Sequence, residues 1–270
     1  MRAAGETVVV ADVGNTRIKL AVVGIGITAT RLPEVALRQD LLSHEFRPAN
    51  LQQWLDRAAA GTTLVLVASV HDRAAVGLEA AIAEVAATGH RTIRQHRIAR
   101  EHLPIAVEVD EPSRVGIDRV AAAAAAAVAK DADRPAVVVD CGTATTVDLV
   151  SADGRFLGGA ILPGPGLLAR ALADGTSRLP AVADLDSGVL PAMPGRNTQQ
   201  AIAAGIGFGM RGAVARLVAE AEASLGGKPQ VFLTGGSRGI VRDAVPGATE
   251  IPDLVLHGIA LAAGRLQSRP

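Results

Sequence analysis

One short phrase occurs twice in this chain. Residues 8–23 read VVVADVGNTRIKLAVV and residues 136–150 read AVVVDCGTATTVDLV. Each is an apolar run, an aspartate, a glycine two positions on, a hydroxyl-bearing residue and a second apolar run. The two aspartates, Asp12 and Asp140, stand 128 positions apart. Small residues at a strand end leave backbone N–H groups and hydroxyls open, and concave arrays of such groups bind phosphate oxygens. A carboxylate there repels phosphate unless a cation such as Mg²⁺ lies between them, as it does in nucleotide sites. Two such loops facing one another could grip a metal-bound nucleoside triphosphate from both sides. A third glycine-bearing stretch, LTGGS at 233–237, could let a flat purine approach the backbone. Read alone, the first phrase is equally an ordinary hairpin that carries an aspartate.

The elements that must hold these residues follow from pattern. Val8–Ala11 and Val137–Val139 suit strands buried on both faces. Gly14 and Asn15 tolerate positive φ, which predicts a tight hairpin turn. Downstream, 51–60 reads as a helix, 62–70 as a strand, 73–89 as a helix closed by Gly89, and 91–98 as a short strand. Pro104 and Pro112 break 103–116 into loop. The seven alanines at 121–127 predict a buried helix that permits close packing. The polar stretch KDADRP at 130–135 is the expected boundary between an N-terminal domain (1–130) and a C-terminal domain (131–270). In the second half, 156–180 is Gly- and Pro-rich at its start and helical in its middle, and 186–196 is loop. Residues 198–226 form a long helix whose glycines predict tight contact with another element. Residues 229–236 read as a strand and 252–266 as a closing helix. Strands alternating with helices, opened by hairpins, give an α/β chain with mixed sheets.

Composition narrows the function classes. The chain has 270 residues and is 49% hydrophobic, so two ordinary cores are available. Formal net charge is zero and aromatics are 2%, with Trp54, four Phe and no Tyr. A neutral chain without stacking side chains does not ask for nucleic acid. Cys141 is the only cysteine, which excludes an internal disulfide and fits a reducing compartment; it reads as an apolar filler rather than a nucleophile. No apolar run reads as long enough to span a membrane, and the first residues lack a signal-peptide pattern. The expected setting is cytoplasmic.

The order of these pieces resembles the ATPase fold of actin, Hsp70 chaperones and sugar kinases. More closely it resembles type III pantothenate kinase, the family that includes the Bvg accessory factor. The resemblance covers nearly the whole chain. It is carried by DVGNTRIK (12–19), VGIDR (115–119), DCGTATT (140–146), GGAILPG (158–164), TSRLP (176–180), NTQQAIAAG (197–205), LTGG (233–236) and PDLVLHG (252–258). GxDR or TGG alone is common; their order between two acidic hairpins is specific. The implied fold is two related actin-like, ribonuclease H-like domains, each a mixed sheet flanked by helices, with an ATP cleft between them.

The resemblance implies transfer of the ATP γ-phosphoryl group to the primary hydroxyl of pantothenate, the first step toward coenzyme A. Asp118 is the implied base, orienting the hydroxyl and taking its proton late; by position alone it is a carboxylate capping the alanine-rich helix, with Arg119 as a surface partner. Gly116, Ile117 and Arg119 are implied in the substrate wall. Asp12, Val13, Gly14, Asn15, Thr16, Arg17, Ile18 and Lys19 make the first ATP loop, with Asp12 organising Mg²⁺. Arg17 and Lys19 share one strand face and point either at phosphate or at solvent. Asp140 is the implied ligand of a monovalent cation, K⁺ or NH₄⁺. Thr143 is implied in ATP binding, with Thr145 a second candidate. Thr198 matches a pantothenate contact and otherwise reads as a helix cap beside Asn197. Thr176 is expected near a neighbouring subunit, because sites in this family lie at a homodimer interface.

One departure stands out. Many family members carry a pocket tyrosine several residues before the GxDR turn; this chain has none, and Val109 stands there. Two rival readings stay open: an ATP-binding regulatory protein with little kinase activity, and a related phosphotransferase acting on another small alcohol. The six histidines show no metal-ligand spacing and read as surface or loop residues. The basic run from Arg91 to Arg100 reads as a solvated edge.

Overall fold

A computed structural model describes residues 7–24, 31–43, 47–58, 61–88, 91–183, 185 and 191–267. The chain forms two compact units. The first comprises residues 1–106, 110–129 and 253–270, and the second 107–109 and 130–252. The sequence boundary at 130/131 keeps the chain's last stretch in the second domain; here, residues from Asp253 onward pack with the first unit instead.

The first unit is built on a five-stranded sheet, order β3-β2-β1-β4-β5. Its strands are β1 (Thr7–Val13), β2 (Arg17–Val23), β3 (Val35–Leu42), β4 (Thr63–Ser69) and β5 (Ile93–Arg97). β1 and β2 form the expected hairpin, antiparallel with Asp12 opposite Lys19, while β1 and β4 run parallel. Val9, Ala11 and Val13 of β1 enter a core with Leu51 and Leu55 of α1 (Pro48–Ala58) and Leu78 and Ile82 of α2 (Asp72–Ala87). Side chains alternate along a strand, so Val8, Val10 and Asp12 lie on the other face. There α6 (Leu254–Gln267) packs on β1 and β4, and α3 (Ile117–Ala129) packs on α6. Val120–Ala126 of α3 are fully buried, as the alanine run predicts. The α3–α6 crossing is close: a Cβ on Gly258 would sit 1.8 Å from the Ala121 carbonyl oxygen.

The second unit repeats the plan. Its sheet runs β11-β10-β7-β8-β9-β6, from β6 (Ala106–Val107), β7 (Ala136–Cys141), β8 (Ala144–Val150), β9 (Arg155–Pro163), β10 (Gln230–Thr234) and β11 (Thr249–Glu250). β7–β8–β9 is an antiparallel meander and β10 and β11 continue in parallel, matching β1–β2–β3 followed by β4 and β5. The repeat seen in two hairpins therefore extends to both sheets. Val137, Val139, Cys141 and Val147 form a core with Ile202, Ile206, Met210 and Val214 of α5 (Thr198–Leu225) and Ala169 of α4 (Pro165–Gly175).

Several expectations need correction. Neither Gly14 nor Asn15 has positive φ; three loop residues let the hairpin close in ordinary backbone conformations, with the Gly14 N–H donating to the Arg17 carbonyl at 2.9 Å. Of the glycines in α5, Gly207 meets Pro191, whereas Gly205, Gly209 and Gly212 have nothing close to where a Cβ would stand. α5 is long and apolar enough to cross a membrane by length and composition, contrary to the expectation that no run is. Its Ile202–Ile206–Met210–Val214 face nonetheless belongs to the second unit's core. His257 is neither a surface nor a loop residue: it sits half-buried in α6, its Nδ1 2.7 Å from the Pro33 carbonyl oxygen. Gly89 and residues 186–190 of the expected loop lie outside the described residues. β5, an edge strand exposed at Arg94–Arg97, fits the solvated-edge reading, although Arg91 donates to the Leu55 carbonyl and to Asp56.

Candidate functional site

In the first unit, the sequence-selected residues gather at one end of the sheet. Asp12, next to last in β1, has its side chain 10% exposed, and Lys19 Nζ lies 3.3 Å from Asp12 Oδ2 across the hairpin rung. On the next strand, Asp40 accepts two hydrogen bonds from Arg38, both 2.8 Å, and stands 3.7 Å from Arg17. Arg38 also reaches Asp253 ahead of α6, at 2.5 Å. Burial works to raise the Asp40 pKa, but the Arg38 hydrogen bonds and charge prevail and hold it below the ordinary value. Lys19 is half-buried against Asp12, whereas Arg17 is an exposed side chain at the edge of Asp40; both border a row of alternating charges, Asp12, Lys19 and Asp40, across three strands. Asn15 and Thr16 are exposed at the tip, and Ser43 braces the tip by donating to the Gly14 carbonyl at 3.0 Å. Val13 and Ile18 are fully buried, so their contribution to a ligand is limited to the main chain.

Asp118 reaches the same end by a different route. The Val70 N–H donates to the Val13 carbonyl at 3.1 Å, which ties the end of β4 to the end of β1. Gly116 lies against Val70: a Cβ there would be 3.6 Å from Val70 Cγ1. α3 starts one residue later and places Asp118 in its first turn, half-buried. Its Oδ1 accepts the Arg119 N–H at 2.8 Å. Gly116, Ile117, Asp118 and Arg119 thus sit at the carboxyl ends of β1 and β4, the side on which open α/β sheets bind ligands.

The second unit holds Asp140, Thr143 and Thr198. Asp140 ends β7 opposite Thr146, half-buried, and Thr143 is exposed at the hairpin tip. Thr145 is fully buried under the tip. Two backbone segments press on this loop. Gly164 donates to the Thr143 carbonyl at 3.0 Å, and a Cβ on Gly164 would fall 2.2 Å from the Gly142 carbonyl oxygen. Gly235, at φ +89°, leaves no room either: its Cβ would lie 2.3 Å from the Cys141 oxygen and 2.5 Å from Asp140 Oδ1. Only glycine fits that conformation and that approach. Cys141 is buried, and burial first, then the Asp140 charge, push its thiol up to about 12; it stays protonated at neutral pH and is a filler, as expected.

At α5, the N-cap is Asn197, whose side chain accepts the Gln200 N–H at 2.9 Å. Thr198 is the first helical residue and exposed, so its hydroxyl is not the cap. Thr176 ends α4, where its hydroxyl donates to the Leu172 carbonyl at 2.8 Å and accepts from the Leu179 N–H at 3.3 Å. Val109 packs on Gly158, 3.4 Å from where a Cβ would stand.

Among the described residues, no three His, Cys, Asp or Glu side chains converge to hold a metal unaided. Mg²⁺ in a phosphoryl-transfer site takes one or two carboxylates together with the substrate's phosphates as ligands. The single carboxylates of Asp12, paired with Lys19, and of Asp140, close to the Gly235 backbone, are oxygen donors of the type hard cations take.

Two sheets of the same order, each opening on an acidic hairpin, define the class: the fold is that of the actin-like ATPases and sugar kinases. Among solved structures, a conserved putative Baf family transcriptional activator from Campylobacter jejuni superposes with TM-score 0.56 at 16% identity, covering 97% of this chain and 100% of that one. A putative 2-dehydro-3-deoxygalactonokinase from Sinorhizobium meliloti gives TM-score 0.52 at 18% identity, covering 97% of each chain. Within that class, the sequence profile of type III pantothenate kinase matches residues 8–220. The type III pantothenate kinase of Rhodopirellula baltica is 35% identical, covering 92% of this chain and 95% of that protein. The one from Dehalococcoides mccartyi strain CBDB1 is 33% identical, covering 96% and 95%. The chain belongs to the type III pantothenate kinase family.

Proposed function

We propose that this protein transfers the γ-phosphoryl group of ATP to the primary hydroxyl of pantothenate, giving 4′-phosphopantothenate. Family membership supplies the reaction class. The observation that carries the assignment of roles is the placement of Asp118 at the start of α3, against the ends of β1 and β4. A carboxylate and a phosphate-type loop sharing one end of one sheet is the arrangement this transfer requires. Asp118 orients the acceptor hydroxyl and takes its proton late. Gly116, Ile117 and Arg119 form the wall beside it, and Thr198 contributes a hydroxyl to the acceptor.

The main chain and hydroxyls of the 12–19 hairpin, with Thr143, hold the triphosphate. Asp12 holds Mg²⁺, which neutralises the phosphate charge when bound. Asp140 holds a monovalent cation, K⁺ or NH₄⁺. Lys19 is the side chain that must change partner when Asp12 takes up metal. The working form is a homodimer with the site at the subunit interface, in the cytoplasm, where the lone buried thiol stays reduced.

The test is turnover of pantothenate by purified protein with ATP, Mg²⁺ and K⁺. Asp118→Asn is expected to lower kcat by ~10²–10⁴-fold while ATP binding is retained. ATP binding by the unaltered protein without phosphopantothenate would overturn the proposal, as would an unchanged kcat in Asp118→Asn.

A further inference from the structure

The glycine loop that touches the second hairpin is held by an anchor outside the hairpin. β10 ends at Thr234, and the chain passes through Gly235 at φ +89°, its backbone pressed onto Asp140 and Cys141. The Ser237 N–H donates to the Cys141 carbonyl at 2.9 Å, fixing the far side of the loop to the hairpin. The Gly235 carbonyl accepts from Arg238 Nη1 at 2.9 Å. The same guanidinium uses Nε to reach Glu250 Oε2 at 3.0 Å. Glu250 is not a loose surface acid. It lies in β11, in register with Leu233 of β10, and is gripped again by Arg242, through Nη2 at 3.0 Å and through Nε. Arg242 first, and Arg238 after it, outweigh burial and keep its carboxyl below the ordinary range.

The Arg238 guanidinium therefore spans from a fixed strand to the carbonyl of Gly235, whose backbone crowds the Asp140 carboxylate. Planar guanidinium with two separate donors suits this bridging, and a lysine ammonium reproduces only part of it.

We propose that Arg238, anchored by Glu250, is a positioning residue that sets the Gly235 loop against Asp140 and so tunes the monovalent-cation and nucleotide site. This rests on the kinase reading above, in which Asp140 holds that cation. Without the clamp, the Gly235 carbonyl loses the Arg238 donor, and the loop rests on the Ser237–Cys141 hydrogen bond and the β10–β7 pairing, which hold it less closely against Asp140. The acid–base step at Asp118 lies in the other unit and is untouched.

The experiment compares unaltered protein, Arg238→Ala, Arg238→Lys and Glu250→Ala. Steady-state turnover is measured as ATP and K⁺ are varied, and ATP binding is measured by calorimetry with K⁺ or Na⁺. Arg238→Ala and Glu250→Ala are each expected to raise the half-saturating K⁺ concentration and the KM for ATP by ~10-fold, with kcat at saturation within about two-fold. Arg238→Lys should fall between Arg238→Ala and the unaltered protein, and serves if the alanine variants do not fold. A lowered Tm with unchanged K⁺ and ATP dependence would overturn the proposal and leave the ion pairs structural. An equal fall in kcat at every K⁺ concentration would also overturn it. If the unaltered protein binds ATP in a K⁺-dependent way but phosphorylates no pantothenate, the acceptor assignment fails while calorimetry on the variants still decides the clamp. If the unaltered protein binds no ATP, both fall.

Discussion

The two acidic hairpins share a plan and differ in what holds them. The first, around Asp12, is held by side-chain charges: Lys19 on Asp12, Arg17 and Arg38 on Asp40, and Arg38 on Asp253. The second, around Asp140, is held by neighbouring main chain, with Gly164 and Gly235 packed on its carbonyls at distances that exclude any side chain. The first aspartate faces a cation within its own hairpin, and the second faces Thr146 and a glycine backbone. A loop restrained by ion pairs can exchange partners with an incoming ligand at little cost, because surface and half-exposed pairs are individually weak. A loop restrained by close-packed backbone has a single shape. The first hairpin is built to change side-chain partners, and the second to keep one backbone shape.

The contrast breaks most sharply under added bulk. Gly235→Ala or Gly164→Ala should destabilise by more than ~3 kcal/mol or prevent folding, whereas Gly14→Ala, whose Cβ would sit 3.2 Å from the Arg17 oxygen, should cost ~1 kcal/mol or less. Chemical denaturation of the three variants checks this, and equal costs would erase the distinction. Next comes charge removal. Lys19→Met leaves Asp12 without that partner and should cost ~1–2 kcal/mol, with Thr146→Val, the equivalent rung of the second hairpin, costing less. Smallest is acid sensitivity. Asp40 has its pKa depressed in the folded chain, so its contribution is present above the ordinary 3.8 and is lost as pH falls through the lower folded value. Hydrogen-exchange protection measured below pH 4 should therefore decline in β2 and β3 before it declines in β8 and β9; simultaneous loss would mean that both hairpins open together.

Much of the architecture was legible because apolar period and punctuation are local properties. Both hairpins, the alanine helix, α5 and α6 stand where pattern places them. What escaped had a physical reason in each case. Strand β3, VALRQDLL, carries Arg38 and Asp40 and lies at a sheet edge, its residues either exposed or only partly buried, so neither alternation nor an apolar run marks it. Strand β9 carries Gly158 and Gly159, so the stretch from 156 shows as Gly- and Pro-rich rather than as a strand. The tight turn expected at Gly14–Asn15 is present, and its three loop residues close it without positive φ. The site showed the same division. Asp12, Asp118 and Asp140 announce themselves by neighbours in sequence. Arg38, Asp40, Arg238 and Glu250 do not: the Arg38–Asp40 pair is local, but its links to Asp253 and to the first hairpin come from the fold, as does the Arg238–Glu250 pair, and no local spacing encodes those.

The Gly258–Ala121 crossing has a consequence for how the molecule comes into being. α6 is synthesised after every other element of the first unit and after the whole of the contiguous 130–252 stretch. During translation, the later-encoded unit can complete its core while the earlier-encoded one still exposes the apolar face of an alanine-rich helix. The first half to leave the ribosome is thus the last to close, and a nascent chain stalled before Leu254 would display that uncovered surface to chaperones and proteases.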